Sequence, residues 1–477
     1  MTRIEHPTVE ERIAQGKEAR TSVPPSSHGA WEENRDRADP IALLEEQNTT
    51  REPDLVPVRH GRMMVSPFTF YRGAAKIMAA DLASTPTTDL TVQLCGDAHL
   101  SNFGLYASPE RDLVFDLNDF DETLPGPFEY DVKRLAASVA VAGRNNAFRP
   151  AEIDDATRAC VASYREAMVH FAGLPTMQVW YDRFSERDFT SFIRTAALRH
   201  MGRTGKKVET TAGLKRAKKT TEKARTRDSL QALSKLAEHV DGAYRIVNQP
   251  PIIMPLTDVA AAVGMTADQI EHMVHEQFRA YRATLQDDRR QLLERFRVVD
   301  VARKVVGVGS VGTRNFIVLL QGRDEQDPLF LQVKEASASV LEDHLPKSDY
   351  HQPGERVVHG QRLMQAASDI FLGWTKGAQD NRYHYWRQLR DMKGSAEIET
   401  MSPGDLALYG GLCGHTLARA HARSGDPIAL AAYLGKKDRF DQALVEFSTG
   451  YADQNERDYQ AFTEAIRSGR LPVLEGV

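Results

Sequence analysis

The stretch LCGDAHLSNFG, residues 94–104, is followed eleven residues later by FDLNDFDE, residues 115–122. Each contains acidic and amide side chains next to a short apolar run, LTVQLCG at 90–96 and DLVFDL at 112–117, and both runs are predicted to be strands. Two short strands flanking polar turn residues predict a hairpin-like unit that gathers those side chains. The order and spacing of the polar residues suit a metal ion held against phosphate oxygens.

The polar residues divide into a loop and a turn. Asp97, His99 and Asn102 occupy relative positions 0, +2 and +5 of the loop, and Asp119 and Asp121 flank a phenylalanine in the turn. Carboxylate and amide oxygens are the hard ligands that Mg²⁺ prefers, so we assign a magnesium ion to Asn102, Asp119 and Asp121. Carboxylates crowded into an apolar neighbourhood repel each other unless a cation or strong donors lie nearby. The alternative is that these acids only cap turns, which does not explain their joint spacing.

A second candidate site lies about 200 residues further along the chain. Residues 297–336 read as strand, glycine turn, strand, polar turn and strand, and the first turn is GVGSVG, with Gly307, Gly309, Ser310 and Gly312. A dinucleotide-binding fingerprint needs a helix directly after the glycines, whereas TRNFIVLLQ follows here. The pattern therefore predicts a β-hairpin whose backbone N–H groups can lie over phosphates, with a plain flexible hairpin as the alternative.

Lys334 lies in the strand after this hairpin, in LFLQVKEA, where the surrounding residues are apolar. A glycine hairpin, a strand and then a lysine is the arrangement by which protein kinases hold ATP phosphates. The helix predicted next should supply a carboxylate to that lysine, and Glu355 is the candidate, with Glu342 second. We therefore assign nucleotide binding to the glycine turn, Lys334 and Glu355.

The pattern GDxHxxN at 96–102 resembles the catalytic loop of aminoglycoside phosphotransferases and other kinase-like small-molecule kinases. The resemblance implies that Asp97 orients the acceptor hydroxyl and takes its proton, with His99 as a second catalytic candidate, and that Asn102 binds magnesium. The turn at 119–121 resembles the metal-binding Asp-Phe-Gly or Asp-Phe-Asp of that family. Tyr130-Asp131 resembles its pair of residues that opens a buried helix and braces the catalytic loop.

The chain departs from these kinases in two respects. They usually have histidine where Cys95 stands, and their glycine loop and lysine precede the catalytic loop instead of following it. The stretch LYGGLCGHTLARAHARSGD, residues 408–426, resembles the helix that runs just before their catalytic loop. The fold expected from the resemblance is therefore α+β, a protein-kinase-like fold in permuted order, with a small antiparallel β lobe inserted between helical regions of a larger, mainly α lobe. Permutation is plausible where the original termini lie close together.

The chain also resembles a widespread bacterial family known as a domain of unknown function, in stretches such as RHGRMMVSPFTFYRG, residues 59–73, and RTRDSLQALSKL, residues 225–236. This resemblance covers nearly all of the chain beyond its N-terminal arm and implies no established activity. Arg62 and Arg72 in the first stretch are candidates for phosphate contacts, with surface ion pairs as the alternative.

Four regions are expected along the 477 residues. Residues 1–50 are predicted to form a flexible N-terminal arm, and residues 51–296 a helical lobe with the catalytic loop and the metal-binding turn. Residues 297–395 should form a β-rich nucleotide-binding lobe, and residues 396–477 a helical part that packs on the helical lobe. Within these regions, single helices are predicted over 68–83 and over 266–296, the latter starting at a Thr N-cap.

Composition restricts the class of protein. The net charge of −5 does not by itself predict a nucleic-acid partner, and three distant cysteines support neither a disulfide framework nor a zinc cluster. No apolar run long enough to span a membrane is found, so a cytoplasmic protein without a membrane partner is expected. Residues 199–227 carry eleven Lys or Arg against two Glu. They form either a solvated surface segment or an electropositive clamp for an anionic substrate, and they lack the aromatic residues of a base-stacking surface.

These features predict a phosphotransferase that uses Mg²⁺ and ATP and acts on an unknown, possibly small and anionic, acceptor. Transfer of AMP to a protein on the same fold is one alternative, and a non-catalytic ATP-binding protein is another. Outside the kinase class, Asp97, His99 and Asp119 could form a hydrolytic metal site. A Ser-His-Asp hydrolase finds little support, because the chain has no GxSxG motif.

Overall fold

The computed structural model describes residues 6–32, 36–186, 188, 191–192, 194–195, 198, 201–202, 210–240, 242–261, 264–377, 381–389 and 391–476. Within these residues the fold is α+β, with small antiparallel sheets set against a large helical body. The described helices are α1 (Val9–Ser22), α2 (Pro40–Asn48), α3 (Val56–Met63), α4 (Pro67–Gly73), α5 (Ala75–Leu82), α6 (Glu129–Asn145), α7 (Pro150–Ala172), α8 (Thr176–Tyr181), α9 (Thr210–Arg225), α10 (Ser229–Leu236), α11 (Leu256–Ala261), α12 (Ala267–Arg282), α13 (Asp287–Leu293), α14 (Pro353–Met364), α15 (Pro403–Ser424), α16 (Pro427–Leu434) and α17 (Arg439–Arg467).

The described strands are short and pair in an antiparallel manner. They are β1 (Thr91–Leu94), β2 (Phe103–Ala107), β3 (Leu113–Leu117), β4 (Leu124–Pro127), β5 (Phe184–Ser185), β6 (Ala237–Val240), β7 (Ala243–Ile246), β8 (Ile253–Pro255), β9 (Arg297–Lys304), β10 (Asn315–Gln321), β11 (Pro328–Ala336), β12 (Gly373–Lys376) and β13 (Tyr383–Gln388). Short 3₁₀ helices include Pro25–His28, Leu100–Asn102, Val340–Asp343 and Ile398–Thr400.

The largest sheet has six strands in the order β12-β13-β11-β10-β9-β8. Strands β9 and β10 form a hairpin around the glycine turn, and β11 pairs with β10 on one side and β13 on the other. Strand β11 is buried along nearly its whole length, which agrees with its continuous apolar sequence and with the covering of both sheet faces. Leu320, Leu331 and Trp386 pack on one face together with Tyr281 of α12. The strand succession expected over 297–336 is confirmed.

The strands around the catalytic loop pair differently from the prediction. Strand β1 pairs with β4, with Val92 opposite Gly126, and β2 pairs with β3, with Phe103 opposite Leu117. The predicted hairpin of β1 with β3 is therefore wrong, because the polar loop after β1 leads into β2, which occupies the edge of β3. The two pairs are nevertheless adjacent, since the Asn118 N–H donates to the Asn102 carbonyl over 3.0 Å.

The helical body is built around α6, α7, α15 and α17. Helix α15 lies close against α7 because its sequence LYGGLCG presents glycines to the contact. A Cβ on Gly414 would lie 2.2 Å from the Cys160 carbonyl oxygen, so the two backbones approach more closely than any larger residue allows. The helical content predicted for residues 403–470 is confirmed as α15, α16 and α17.

Two segments predicted as single helices each form two helices. The segment 68–83 is divided at Ala74, whose φ of −105° and ψ of 30° are not helical, so α4 and α5 are separate. The segment 266–296 is divided between α12 and α13. The predicted Thr266 N-cap is confirmed, since the Thr266 hydroxyl accepts a hydrogen bond from the Gln269 N–H. Hydrophobic periodicity continues through both breaks and therefore did not reveal them.

The first fifty residues were expected to be a flexible arm, and the described part of them packs on the body instead. Helix α1 lies along α16, and a Cβ on Gly16 would come within 2.1 Å of the Ala429 carbonyl oxygen. His28 is fully buried, with Nε2 2.7 Å from the Tyr433 hydroxyl. The polar composition that suggested an arm belongs to the exposed faces of short helices. No helix among the described residues combines the length and apolar character that crossing a bilayer requires.

The contact between α1 and α16 gives a test of this packing. Gly16→Leu should lower the free energy of unfolding by about 1–3 kcal/mol, because the new side chain must displace the α16 backbone. Gln15→Leu in the same helix is the matched control, since residue 15 is exposed and should change stability little. Equilibrium urea unfolding of both variants measures the difference. Equal stabilities would show that α1 is not attached as described.

Candidate functional site

A cavity of about 370 Å³ brings the predicted loop, turn and glycine hairpin together. Residues from the loop at 97–102, the acidic turn and the β9–β10 turn all line it, although the β9–β10 turn lies 189 positions after the acidic turn, counted from Asp121 to Ser310. The predicted site residues that line the cavity are Asp97, His99, Asn102, Asp119, Asp121, Gly307, Gly309 and Ser310. The volume lies within the range of small-molecule sites.

Lys334 does not itself line this cavity but lies between two acids that do, Asp119 and Asp121 of the turn. Its Nζ is 3.3 Å from Asp119 Oδ1 and donates to Asp121 Oδ2 over 2.6 Å. Asp121 also accepts hydrogen bonds from the Tyr385 hydroxyl, at 2.6 Å, and from the Ser310 hydroxyl, at 3.3 Å. The β-rich region and the acidic turn are therefore joined by one buried ammonium group.

The charges of this group determine its protonation. Burial opposes the positive charge of Lys334, but the two carboxylates outweigh burial and hold the pKa of the ammonium above its ordinary value. Enclosure and the neighbouring Asp121 charge raise the pKa of Asp119. Burial also acts on Asp121, yet Lys334 and the Tyr385 hydrogen bond leave the pKa of Asp121 below its ordinary value. Two carboxylates thus share one cation, and a second cation would relieve the remaining repulsion.

Asp97 is held from the helical side. Arg134 of α6 donates to Asp97 Oδ1, with Nε at 2.9 Å and the terminal nitrogen at 2.7 Å, while His99 Nε2 lies 3.6 Å from Oδ2. Burial raises the pKa of Asp97, and Arg134 only partly offsets this. Burial and the nearby Arg72 and Arg134 charges hold the pKa of His99 well below its ordinary value, so the imidazole is neutral. One oxygen of Asp97 is thereby fixed, and the other faces a neutral ring.

The amide of Asn102 is oriented by the backbone. Its nitrogen donates to the Asp97 carbonyl over 2.8 Å, which leaves the side-chain oxygen as an acceptor in the cavity wall. Together with Asp119 and Asp121 this oxygen provides a donor set that fits Mg²⁺, which usually takes one or two carboxylates plus waters and substrate phosphates.

Among the described residues, no group of three or more His, Cys, Asp or Glu could hold a metal ion. The hydrolytic site of Asp97, His99 and Asp119 therefore finds no support.

Asp131 fixes the shape of the loop at 95–102, for which the sequence predicts a catalytic role. Its two carboxylate oxygens accept the backbone N–H groups of Cys95 and Gly96, at 2.7 Å and 3.0 Å, and His421 Nε2 of α15 lies 3.2 Å from the same carboxylate. Gly96 has φ of +81°, and a Cβ there would lie 2.2 Å from the Glu122 carbonyl oxygen, so this position requires glycine. Cys95 is buried, and the histidine that contacts Asp131 comes from α15 instead.

The glycine turn is held by arginines beneath it. Gly307 and Gly312 have φ of +66° and +92°, and the Gly307 carbonyl accepts a hydrogen bond from Arg62 over 2.7 Å. A Cβ on Gly312 would lie 3.0 Å from the Arg51 side chain, and Gly312 does not line the cavity. The predicted hairpin is present, with its first glycines toward the cavity and its last against Arg51.

The prediction that α14 supplies a carboxylate to Lys334 is wrong. Glu355 lies 3.8 Å from His359 on its own helix, and Glu342 lies 3.8 Å from Arg356 and caps Ser339. The acids that neutralise Lys334 come from the turn at 119–121, so no helix carboxylate is needed. Arg356, the residue after Glu355, instead donates to the Asp121 carbonyl over 2.8 Å and to the Thr123 carbonyl.

Several residues that support the site were not predicted. Arg134 contacts Asp97, and Tyr385 contacts Asp121. Arg419 of α15 forms an ion pair with the buried Asp116, which also accepts a hydrogen bond from the Ala366 N–H. Asp116 is therefore structural. A charged residue inside an otherwise apolar helix, as in YDVKRLAASVAVAG, was the available signal for Arg134.

The basic segment does not take part in the described site. Residues 199–200 and 203–209 lie outside the described residues, and none of the described residues of 199–227 lines the cavity. Arg225 pairs with Glu186, and Lys223 lies 3.8 Å from Glu397, all of them exposed. The charged side chains named here are thus at the surface, whereas Thr221 and Ala224 of the same segment are buried.

Comparison with known proteins shows which protein family the chain is related to. Residues 51–465 match DUF2252, a family described as an uncharacterised protein conserved in bacteria. The chain belongs to this family. The match begins at the end of α2 and ends near the end of α17, so it includes every residue of the cavity described above except Glu46, Gln47, Thr49 and Thr50. No curated protein and no solved structure matches the chain.

The shared ammonium predicts a pH-dependent stability. Lys334→Met should lower the free energy of unfolding at pH 7.5 by about 1–3 kcal/mol. This is less than the usual cost of removing one partner of a buried ion pair, because the two carboxylates are partly exposed to solvent. Without Lys334 the folded pKa of the acidic pair rises above its unfolded value. Folding then takes up protons, and the deficit should shrink as the pH falls from 7.5 to 5. Chemical unfolding at both pH values measures this, with exposed Lys436→Met as the control. A deficit that is constant or grows toward low pH would contradict the shared charge.

Proposed function

We propose that this protein is a phosphotransferase that uses Mg²⁺ and ATP, with a kinase-like fold in permuted order and an unknown acceptor. The observation that carries the proposal is the position of Lys334, whose ammonium lies between Asp119 and Asp121, two acids that line a cavity together with the loop at 97–102 and the glycine turn. A lysine, a glycine turn and an acidic turn in one cleft are the parts that position a triphosphate in kinases.

Each part has a physical role in this proposal. The glycine turn lies over the phosphates of ATP and donates backbone N–H groups, and the ammonium of Lys334 contacts their oxygens. Asn102, Asp119 and Asp121 would hold Mg²⁺, which when bound neutralises the charge of the triphosphate. Asp97 orients the acceptor hydroxyl and takes its proton through the oxygen that Arg134 does not contact. Positioning and charge neutralisation would supply most of the rate acceleration.

The contact between α15 and β1 supports the permuted order. The Gln93 N–H donates to the hydroxyl of Ser424, the last residue of α15, and a Cβ on Gly425 would lie 3.0 Å from the Thr91 carbonyl oxygen. The end of α15 therefore lies beside the strand that leads into the catalytic loop, although more than 300 residues separate them in sequence. A chain cut at this point and rejoined elsewhere would keep the same neighbours. A reaction that consumes ATP fits a cytoplasmic protein.

Ligand-induced stabilisation tests the binding part of the proposal. Mg·ATP at a hundred times its dissociation constant should stabilise the protein by about 2.7 kcal/mol, visible as a rise in Tm. Asp119→Asn should abolish most of this rise, because it removes a magnesium ligand, whereas Asp112→Asn on the exposed β2–β3 turn should keep it. Omitting Mg²⁺ should mimic Asp119→Asn. No rise in the wild-type protein at any concentration of Mg·ATP would refute the proposal.

The type of transfer is tested with labelled ATP. Phosphoryl transfer should move label from the γ position to an acceptor, and Asp97→Asn should reduce that transfer while Mg·ATP binding persists. Label moving from the α position would instead identify AMP transfer. Binding without transfer of either label to any acceptor, with no loss of biological role in Asp97→Asn, would identify a non-catalytic nucleotide-binding protein.

A further inference from the structure

Arg72, near the end of α4, is a cation of the cavity on which the charges of Glu399 and Asp97 act without forming a direct ion pair among the described residues. It lines the cavity, and its Nε is buried without a hydrogen-bond partner. Within the described part of the chain its guanidinium forms no ion pair. The sequence analysis had raised surface ion pairs as the ordinary role of this arginine, and that role is not observed.

The other cations of the cavity have partners. Arg134 is bound to Asp97, Lys334 to the acidic turn, and Lys76 to Asp343 and Glu46 at 3.0 Å and 3.1 Å. Arg51 donates to the Val311 carbonyl. Among the described residues, Arg72 and Arg51 are therefore the cations of this group without a carboxylate partner, and Arg72 is the one whose charge acts on Asp97.

The surroundings of Arg72 locate that anion between the glycine turn and the catalytic loop. A Cβ on Gly309 would lie 3.3 Å from the Arg72 carbonyl oxygen, so the tip of the glycine turn rests on this residue. Asp97 and His99 are close enough for the Arg72 charge to lower the pKa of both. His99 is only 4% exposed, and its Nδ1 is also buried without a hydrogen-bond partner. Two residues that line the cavity near Asp97, Arg72 and His99, thus each have a buried polar atom without a hydrogen-bond partner.

Buried polar groups without a hydrogen-bond partner are unfavourable unless a ligand supplies the missing partner. A planar guanidinium with several N–H donors matches the oxygens of a phosphoryl group better than an ammonium does. The position next to Asp97, and not beside the turn that binds Lys334, is where a group leaving ATP would meet the acceptor.

We infer that Arg72 clamps the phosphoryl group while it passes from ATP to the acceptor, with His99 as a neighbouring hydrogen-bonding group. This inference rests on the proposed phosphotransferase function. In the step, the acceptor oxygen forms a bond to the γ-phosphorus as the bond to the β–γ bridging oxygen breaks. The bridging oxygen keeps the electron pair and leaves on ADP, and the acceptor proton passes to Asp97. Arg72 keeps its protons and donates hydrogen bonds to the non-bridging oxygens, where negative charge is concentrated.

The clamp is tested without knowing the acceptor, because aluminium fluoride with Mg·ADP imitates the phosphoryl group in transfer. Full-length wild type, Arg72→Ala, Arg72→Lys and Arg439→Ala are compared by ligand-dependent melting, first with Mg·ADP and then with Mg·ADP plus aluminium fluoride. Arg439 is exposed and lies outside the cavity lining, so it serves as the matched arginine control. Melting without ligand reports whether each variant folds.

Arg72→Ala should bind Mg·ADP as well as the wild type does. The increase in affinity that aluminium fluoride causes should be about 100-fold smaller in Arg72→Ala than in the wild type, because removing one hydrogen-bond donor to a transition state has an effect of about that size. Arg72→Lys should recover only part of it, because it keeps the charge without the planar fork. Full tightening in Arg72→Ala, or no tightening in a wild type that binds Mg·ADP, would overturn the clamp alone. The clamp would also be overturned if Arg72→Ala lost as much affinity for Mg·ADP alone as for Mg·ADP with aluminium fluoride. A wild type that fails to bind Mg·ADP would instead refute the proposed function.

Discussion

The ammonium of Lys334 between two carboxylates is the constraint on which the candidate site depends. Lys334 belongs to the six-stranded sheet, whereas Asp119 and Asp121 follow β3 in the helical part of the molecule. A charge this deeply enclosed is tolerated only when opposite charges and hydrogen bonds surround it, and these must come from the other region. The sheet is thereby fixed over the acidic turn, and the space left between them is the cavity.

Backbone contacts make this arrangement rigid. Asp131 accepts the N–H groups that begin the catalytic loop, the Asn102 carbonyl accepts the Asn118 N–H, and Arg356 donates to the carbonyl of Asp121. The loop and the turn are therefore connected to each other and to both regions of the protein. Because these braces bind backbone atoms, they hold the carboxylates in position without neutralising them, and the negative charge remains available to a cation.

The sequence predicted which polar residues would lie together at one cavity better than it predicted the pairing of strands. Asp97, Asn102 and Asp119 were singled out because a polar residue next to an apolar run is visible in the local sequence. Lys334 was singled out because a lysine is unusual within a strand of otherwise apolar residues. The partner of Lys334 was misassigned to Glu355, since a lone carboxylate on a helix looks the same in sequence whether it turns inward or outward. Pairing of β1 with β4 was missed for a similar reason, because which strand lies at which edge is decided by tertiary packing.

The distribution of contacts is compatible with the permuted order that we propose. The contacts around the cavity join residues 93 with 424, 97 with 134, 121 with 334 and 131 with 421, so they depend on which surfaces meet and not on which segment is synthesised first. Loop-closure entropy grows only slowly with the number of residues in a loop, and reordering segments therefore costs little once the same surfaces pack. The contacts that would have to be rebuilt lie at the cut, where Ser424 and Gln93 remain joined by a hydrogen bond. A kinase-like site in permuted order is physically consistent with the contacts that hold this protein together.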